Sequence, residues 1–314
     1  MNSEKYSGRV NPATEVSNRA RALMPRLLAI TALSLAANTS VDMPIHNKLP
    51  DTKLPSSVSV PHYTNSLWSG YVTRNIHDFK AVEGRIAVPE VDCKIPGSAA
   101  SFWVGYTYGN TVEQTGFTAE CSSPVQLKKG PKDKSMGVVE NSSRVFRSTP
   151  KYYAWWMMFG AGGVGVESLK IMPGNIVDYK VAYKGVGKYT MSFSDLTTNQ
   201  HYSTTKTCKP SMIGVSKGQP VMSSCDPKTV EWVIERPGAS PLADFGTVGL
   251  FQNSATTSTG KTYPMSHFEV TNDPTSKFFF GINMQHDVQL DKVSNPTANG
   301  NFNATWLAAG TLGE

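Results

Sequence analysis

From Leu67 onward the chain runs in short alternating or aromatic segments, each closed by glycine, proline or a polar cluster. The runs WSGYVT, GRIAVPEV, ASFWVGYTY, YYAWWMMF, NIVDYKVAY, KYTMSFSDL, VEWVIE, FGTVGLF, HFEVTN, FFFGINM and FNATWLAA read as strands, with turns such as Pro173-Gly174-Asn175 between them. No longer segment after this point carries a helical period with caps, so the pattern predicts an all-β, antiparallel β-sandwich in one domain over residues 63–314. In TVEWVIERPG the alternation puts Trp232 and Ile234 on one face and Glu231, Val233 and Glu235 on the other. The first pair suits a core. The carboxylates opposite need a reason.

The first 62 residues have a different texture. Arg19, Arg21 and Arg26 precede the apolar run LLAITALSLAA (Leu27–Ala37), which ends in small residues suited to cleavage near Ala36 or Ala37. It is too short to span a bilayer. Residues 1–37 therefore read as a secretory signal with a long n-region, or one that starts at Met24. Residues 38–62, rich in Pro, Ser and Lys, read as a linker or short propeptide. The expected product is secreted, with no stable membrane association once the signal is removed.

Composition agrees with strands and turns: 26 glycines and 20 prolines in 314 residues. The formal charge is +6, but residues 1–37 hold five basic and two acidic residues, so the remainder is at +3. With no long basic arm, nucleic acid is not an expected partner. Cys93, Cys121, Cys208 and Cys225 form no CxxC, and in an exported chain they read as disulfides; of three possible pairings, Cys93–Cys121 and Cys208–Cys225 close the shortest loops. Sequons at Asn38, Asn141 and Asn303 fit an exported surface. The insertion LKKGPKDKSMG (Leu127–Gly137) reads as a solvated loop.

Three familiar patterns lack their context. Gly160, Gly162 and Gly165 match GxGxxG, but VESLKIMPGN follows where a helix is required. Gly214, Ser216 and Gly218 match GxSxG in a polar stretch with no helix behind it. Asp244-Phe245-Gly246 has no kinase catalytic loop beside it. The six histidines form no HExxH, and neither a metal nor another cofactor is expected. Nor can Glu231 and Glu235 be a glycosidase pair: four residues along a strand separate them by roughly 13 Å, beyond the ~9.5 Å limit of an inverting pair.

Read in order, FWVGYTYGNTVEQTGF (Phe102–Phe117), KYYAWWMMF (Lys151–Phe159), VEWVIE (Val230–Glu235) and PLADFGTV (Pro241–Val248) resemble the glutamic peptidase, or eqolisin, family. SLWSGYV (Ser66–Val72) is similar to the opening of the family's mature domain. The resemblance implies two bent antiparallel sheets with a cleft on a concave outer face. It places the catalytic glutamine on Gln114, the catalytic glutamate on Glu235 and the cleft tryptophan on Trp155. Tyr153, Met157 and Trp68 are expected to bind substrate beside them, with Glu231 in the cleft or at its rim. It further implies a monomeric, acid-acting endopeptidase on polypeptide substrates, made as a zymogen.

The same comparison marks departures. Met157 stands where the family has a glutamate two residues after the cleft tryptophan, Thr107 where it has an aspartate, and Arg236 where an acid commonly follows the catalytic glutamate. This predicts a site depleted of negative charge, with Arg236 adding positive charge beside Glu235, and activity reaching into mildly acidic pH. The rival expectation is a non-catalytic sandwich that uses Tyr153, Trp155 and their aromatic neighbours as a platform for sugar or peptide.

Overall fold

The computed structural model describes residues 57–310 apart from 76–78, 109–110, 123–147, 159–161, 211, 218 and 269–276. The expected signal, most of the linker and the lysine-rich insertion fall outside the described residues. In chain order the strands are β1 (His62–Asn65), β2 (Trp68–Asn75), β3 (Phe79–Ala87), β4 (Ala99–Tyr108), β5 (Thr111–Cys121) and β6 (Pro150–Met158). There follow β7 (Gly162–Val166), β8 (Ile176–Gly185), β9 (Lys188–Asp195), β10 (Gln200–Thr207), β11 (Met212–Ser216) and β12 (Gln219–Met222). The last are β13 (Thr229–Glu235), β14 (Thr247–Thr257), β15 (Thr262–Pro264), β16 (Lys277–Met284), β17 (Asp291–Val293) and β18 (Phe302–Trp306). Two short 3-10 turns, Pro237–Ala239 and Met265–His267, are the helical elements among the described residues.

Two large sheets form the expected sandwich. The first runs β1-β16-β2-β13-β4-β5-β6-β7; the second runs β10-β9-β8-β3-β14-β18-β17, with β15 on β14. β11 and β12 form a separate hairpin, and the Cys208–Cys225 bridge ties its two ends together. Cys93–Cys121 ties the approach to β4 to the end of β5, so both bridges pair as the loop lengths predict. The departure from an antiparallel plan is β1, which lies parallel to β16 at the sheet edge. There His62 crosses Gly281, and any Cβ on Gly281 would fall 2.2 Å from the imidazole, so the close crossing needs glycine.

The period-two pattern sets the core. Phe102, Val104 and Tyr106 of β4, Phe117 of β5, and Trp232 and Ile234 of β13 are buried against Val177, Tyr179 and Val181 of β8 and Phe193 of β9. Phe102 stacks on Phe117 with ring centroids 5.1 Å apart, and Phe117 meets Phe193 edge-on at 6.5 Å. Burial of each such phenylalanine is worth roughly 1.5–3 kcal/mol. The indole of Trp232 is also satisfied, donating to the backbone carbonyl of Glu83 across the interface at 2.8 Å.

The motifs without context behave as loops and strands. Gly162–Val166 is β7, with no helix behind it, and Gly214 and Ser216 belong to the β11–β12 hairpin.

Candidate active site

Strand register assembles the outer face of the first sheet row by row. Glu235 of β13 lies between Trp68 of β2 and Ser101 of β4, and Ser101 lies opposite Thr118 of β5, which lies opposite Tyr153 of β6. Two residues along, Val233, Trp103, Gly116 and Trp155 form the next row. In the third, Glu231, Gly105, Gln114 and Met157 stand side by side. Gly116 leaves the middle row low: a Cβ there would sit 2.0 Å from the Phe102 carbonyl and 2.6 Å from Trp103 Cβ.

The result is a cleft of about 480 Å³ lined by Trp68, Ser101, Gln114, Thr118, Tyr153, Trp155, Met157 and Glu235. Pro237 and Gly238 form one rim and Gly163–Gly165 of β7 another. Six of the seven residues singled out from sequence line it. Glu231 does not. It lies on the same face, but it is only 3% exposed and accepts a hydrogen bond from Thr107 Oγ1 at 3.0 Å.

Glu235 is held by indoles. Trp103 Nε1–H donates to Glu235 Oε2 at 2.8 Å, and Trp68 supplies a second side-chain hydrogen bond. The two tryptophans meet edge-on, ring centroids 5.4 Å apart. Burial raises the Glu235 pKa above its usual 4.5, with the Trp103 and Trp68 hydrogen bonds pulling it partly back down. Desolvation thus decides the sign.

Arg236 is a correction. It was expected to add positive charge beside Glu235, but it falls outside the cleft lining and is 1% exposed. Its guanidinium approaches Gly310, and the charge that acts on it is that of Asp287. The reason is parity: one step along a strand reverses the side chain, so Arg236 continues the core-facing set of Trp232 and Ile234.

Gln114 is buried, and its Nε2 donates to Met157 Sδ at 3.3 Å. Its Oε1 is buried with no partner among the described residues. Trp155 Nε1–H donates to Thr118 Oγ1 at 2.8 Å, and the Thr118 and Ser101 hydroxyls are 2.7 Å apart, a polar line that ends beside Glu235. At the outer edge Tyr153 donates to Glu120 at 3.4 Å, with Lys151 over its ring at 5.6 Å.

Sequence reasoning missed Trp103, Ser101 and Thr118. The signal was present for Trp103: in FWVG it takes the opposite parity to the core residues Phe102 and Val104, hence the parity of the cleft. Among the described residues one group of metal-ligand types comes together, Glu113 with Cys208 and Cys225, but both sulfurs belong to a disulfide and Glu113 faces the core.

Comparison with known proteins bears on the fold and on one segment of the chain. The model of the Peptidase A4 family matches residues 136–278. That segment contains Trp155, Met157 and Glu235; Gln114 lies ahead of it and joins the site through strand pairing. Two solved structures of scytalidoglutamic peptidase, one with a peptide-based transition state analogue and one with a transition state analogue inhibitor, share the fold. Their TM-scores are 0.51 and 0.52, at 16% identity, and each alignment covers 78% of this chain and 100% of the solved one. No curated protein matches in sequence. The chain is thus similar to the Peptidase A4 family over residues 136–278, and it shares its sandwich with the full length of a solved glutamic peptidase.

Proposed function

We propose that this protein is a secreted glutamic endopeptidase in which Glu235 and Gln114 hydrolyse peptide bonds of unfolded polypeptides in mildly acidic solution. The observation that carries this reading is that Glu235 and Gln114, from strands separated by β4, line one cleft with Trp68 and Trp155. Glu235 is also the one carboxylate among the lining residues.

Peptide hydrolysis needs a base that takes a proton from water and a donor where negative charge grows on the carbonyl oxygen. Ionised Glu235, fixed by Trp103 and Trp68, removes the water proton. It then returns the proton to the leaving amine. Burial brings its pKa closer to a mildly acidic working pH, where a group can perform both transfers.

Gln114 does not titrate. One Nε2 hydrogen points to Met157 Sδ, a weak acceptor, which leaves the other for the developing oxyanion. Its buried Oε1 is an acceptor suited to the attacking water or to a substrate N–H. The aromatic walls, Trp155 and Tyr153, bury substrate side chains and exclude water, which strengthens both interactions. A pure binding platform has no need of a half-buried carboxylate clamped by two indoles.

Secretion and processing rest on the sequence of residues 1–62 together with the two disulfides. The test is incubation of the processed protein with an unfolded protein from pH 2 to 7, with a chelator present and new termini identified by mass spectrometry. The account expects internal cleavage that survives the chelator. No cleavage at any pH, or cleavage abolished by the chelator and restored by zinc, overturns it.

A further inference from the structure

The outer face of the second sheet carries a separate cavity of about 600 Å³, within the usual size range of small-ligand sites. Register builds its floor: Glu83 and Arg85 of β3 lie opposite Lys180 and Asp178 of β8, and Ser254 of β14 lies opposite Glu83. The four charges cancel in pairs. Arg85 grips Asp178 with two hydrogen bonds, 2.5 and 2.8 Å, while Lys180 donates to Glu83 at 2.8 Å and Ser254 to its other oxygen at 2.9 Å. What the floor presents is therefore a dense, electrically neutral array of donors and acceptors, with lone pairs to spare on the carboxylates.

The sheet is also opened at this place. β14 bulges between Phe251 and Ser254, with Gln252 at φ +49°, and across from it Gly84 has no side chain; a Cβ there would fall 2.8 Å from Asn253 Oδ1. Asn253 is fully buried and lines the cavity. Its Nδ2 donates to the Gly300 carbonyl at 2.9 Å, and its Oδ1 has no partner among the described residues. Asn253 shares the core-facing side of β14 with Ala255, and its Oδ1 lies beneath Gly84 beside Tyr179 and Val104, so it supports the floor from below. The wall is Tyr263, partly exposed and stacked on His267 with centroids 4.0 Å apart and planes 5° from parallel.

We propose that this groove is a second ligand site, separate from the peptide cleft, for a neutral polyhydroxylated molecule of the oligosaccharide class. A charged ligand gains little from charges already paired. A sugar offers hydroxyls that both donate and accept, which suits the carboxylate and guanidinium array. Its apolar ring face suits the exposed part of Tyr263.

The test uses the whole processed protein and four uncharged probes, cellohexaose, xylohexaose, maltohexaose and fully N-acetylated chitohexaose, in isothermal titration. The proposal expects at least one to bind with a submillimolar Kd. Tyr263→Ala and Asp178→Asn should each weaken that binding by about tenfold or more, while Trp155→Ala, in the other cleft, leaves it unchanged. If no probe binds at millimolar concentration, or if Trp155→Ala removes binding while Tyr263→Ala and Asp178→Asn do not, the site is not there. Neither result depends on whether the protein cleaves peptides.

Discussion

The indole N–H of Trp103 donates to Oε2 of Glu235 across 2.8 Å, from the neighbouring strand and on the same face of the sheet. Trp103 is fully buried, so this donor is fixed in place. The carboxylate is thereby desolvated and hydrogen-bonded at once, two influences that move its pKa in opposite directions, with desolvation the larger.

Trp103→Phe removes the donor and keeps most of the apolar volume. The remaining influence is desolvation, so the Glu235 pKa rises further and less of the base is ionised in acid. The acid limb of the kcat/KM profile should move upward by about one pH unit, with roughly a tenfold loss at the parent's optimum. A profile that keeps its midpoint contradicts the assignment of Trp103.

Met157→Glu places a second carboxyl group in the cleft, within reach of the Gln114 amide that now donates to the Met157 sulfur. Like charge in a partly desolvated site disfavours ionisation of Glu235, so the acid limb should again move up, by roughly half a unit or more. The parent should accordingly act over the wider range, into mildly acidic pH. A profile indifferent to this substitution sinks the account of the lost acids.

Glu113 and Asp291 govern stability against pH. Burial holds Glu113 up to about 8 from 4.5, with Thr111 pulling the other way, and holds Asp291 up to about 7 from 3.8, against hydrogen bonds from Ser69 and the Met284 N–H. In both cases the folded state keeps its proton where the unfolded chain has lost it. Their contribution is full below about pH 4 and is lost as pH rises through 7 and 8. The melting temperature should fall by about 10 °C or more between pH 4 and pH 8, and Glu113→Gln should flatten that fall. A melting temperature that is level or rises over this interval contradicts both assignments.

Much of this was legible because period-two alternation is a strong signal. The opposition of Trp232 and Ile234 to Glu235 could be read directly, as could the lack of a helix behind the two glycine patterns, although their glycines enter strands β7 and β11 where loops were expected. The same rule, carried one residue further, turns Arg236 into the core and away from Glu235, yet adjacency in sequence suggested charge beside the base. Nor does alternation report depth. Glu231 and Glu235 share a face, but β4 brings Thr107 to the first and Trp103 to the second, so one is a satisfied buried group and the other faces the cleft. The buried Glu113 needed the opposite sheet before its environment could be known: Tyr189 of β9, whose pKa is raised first by burial and then by that carboxylate, lies close to it.

Gly116→Ala tests the cleft floor. The new methyl carbon would overlap the Phe102 carbonyl and Trp103 Cβ, both fixed in the sheet. Separation of β4 from β5 should cost about 3 kcal/mol or more in denaturant unfolding and displace the Trp103 donor. A variant as stable as the parent would show that the floor is not as close-packed as described.

The dyad itself is tested most directly by turnover of an unfolded protein substrate at the parent's best pH, for Glu235→Gln, Gln114→Ala and the double variant, each verified as folded by circular dichroism. Glu235→Gln should abolish turnover, and Gln114→Ala should lower kcat by about 10²-fold, the scale for loss of one oxyanion donor. The double variant should be no worse than Glu235→Gln alone, because base and donor serve one tetrahedral intermediate. A folded Glu235→Gln or Gln114→Ala protein that turns over substrate at nearly the parent rate would contradict the account.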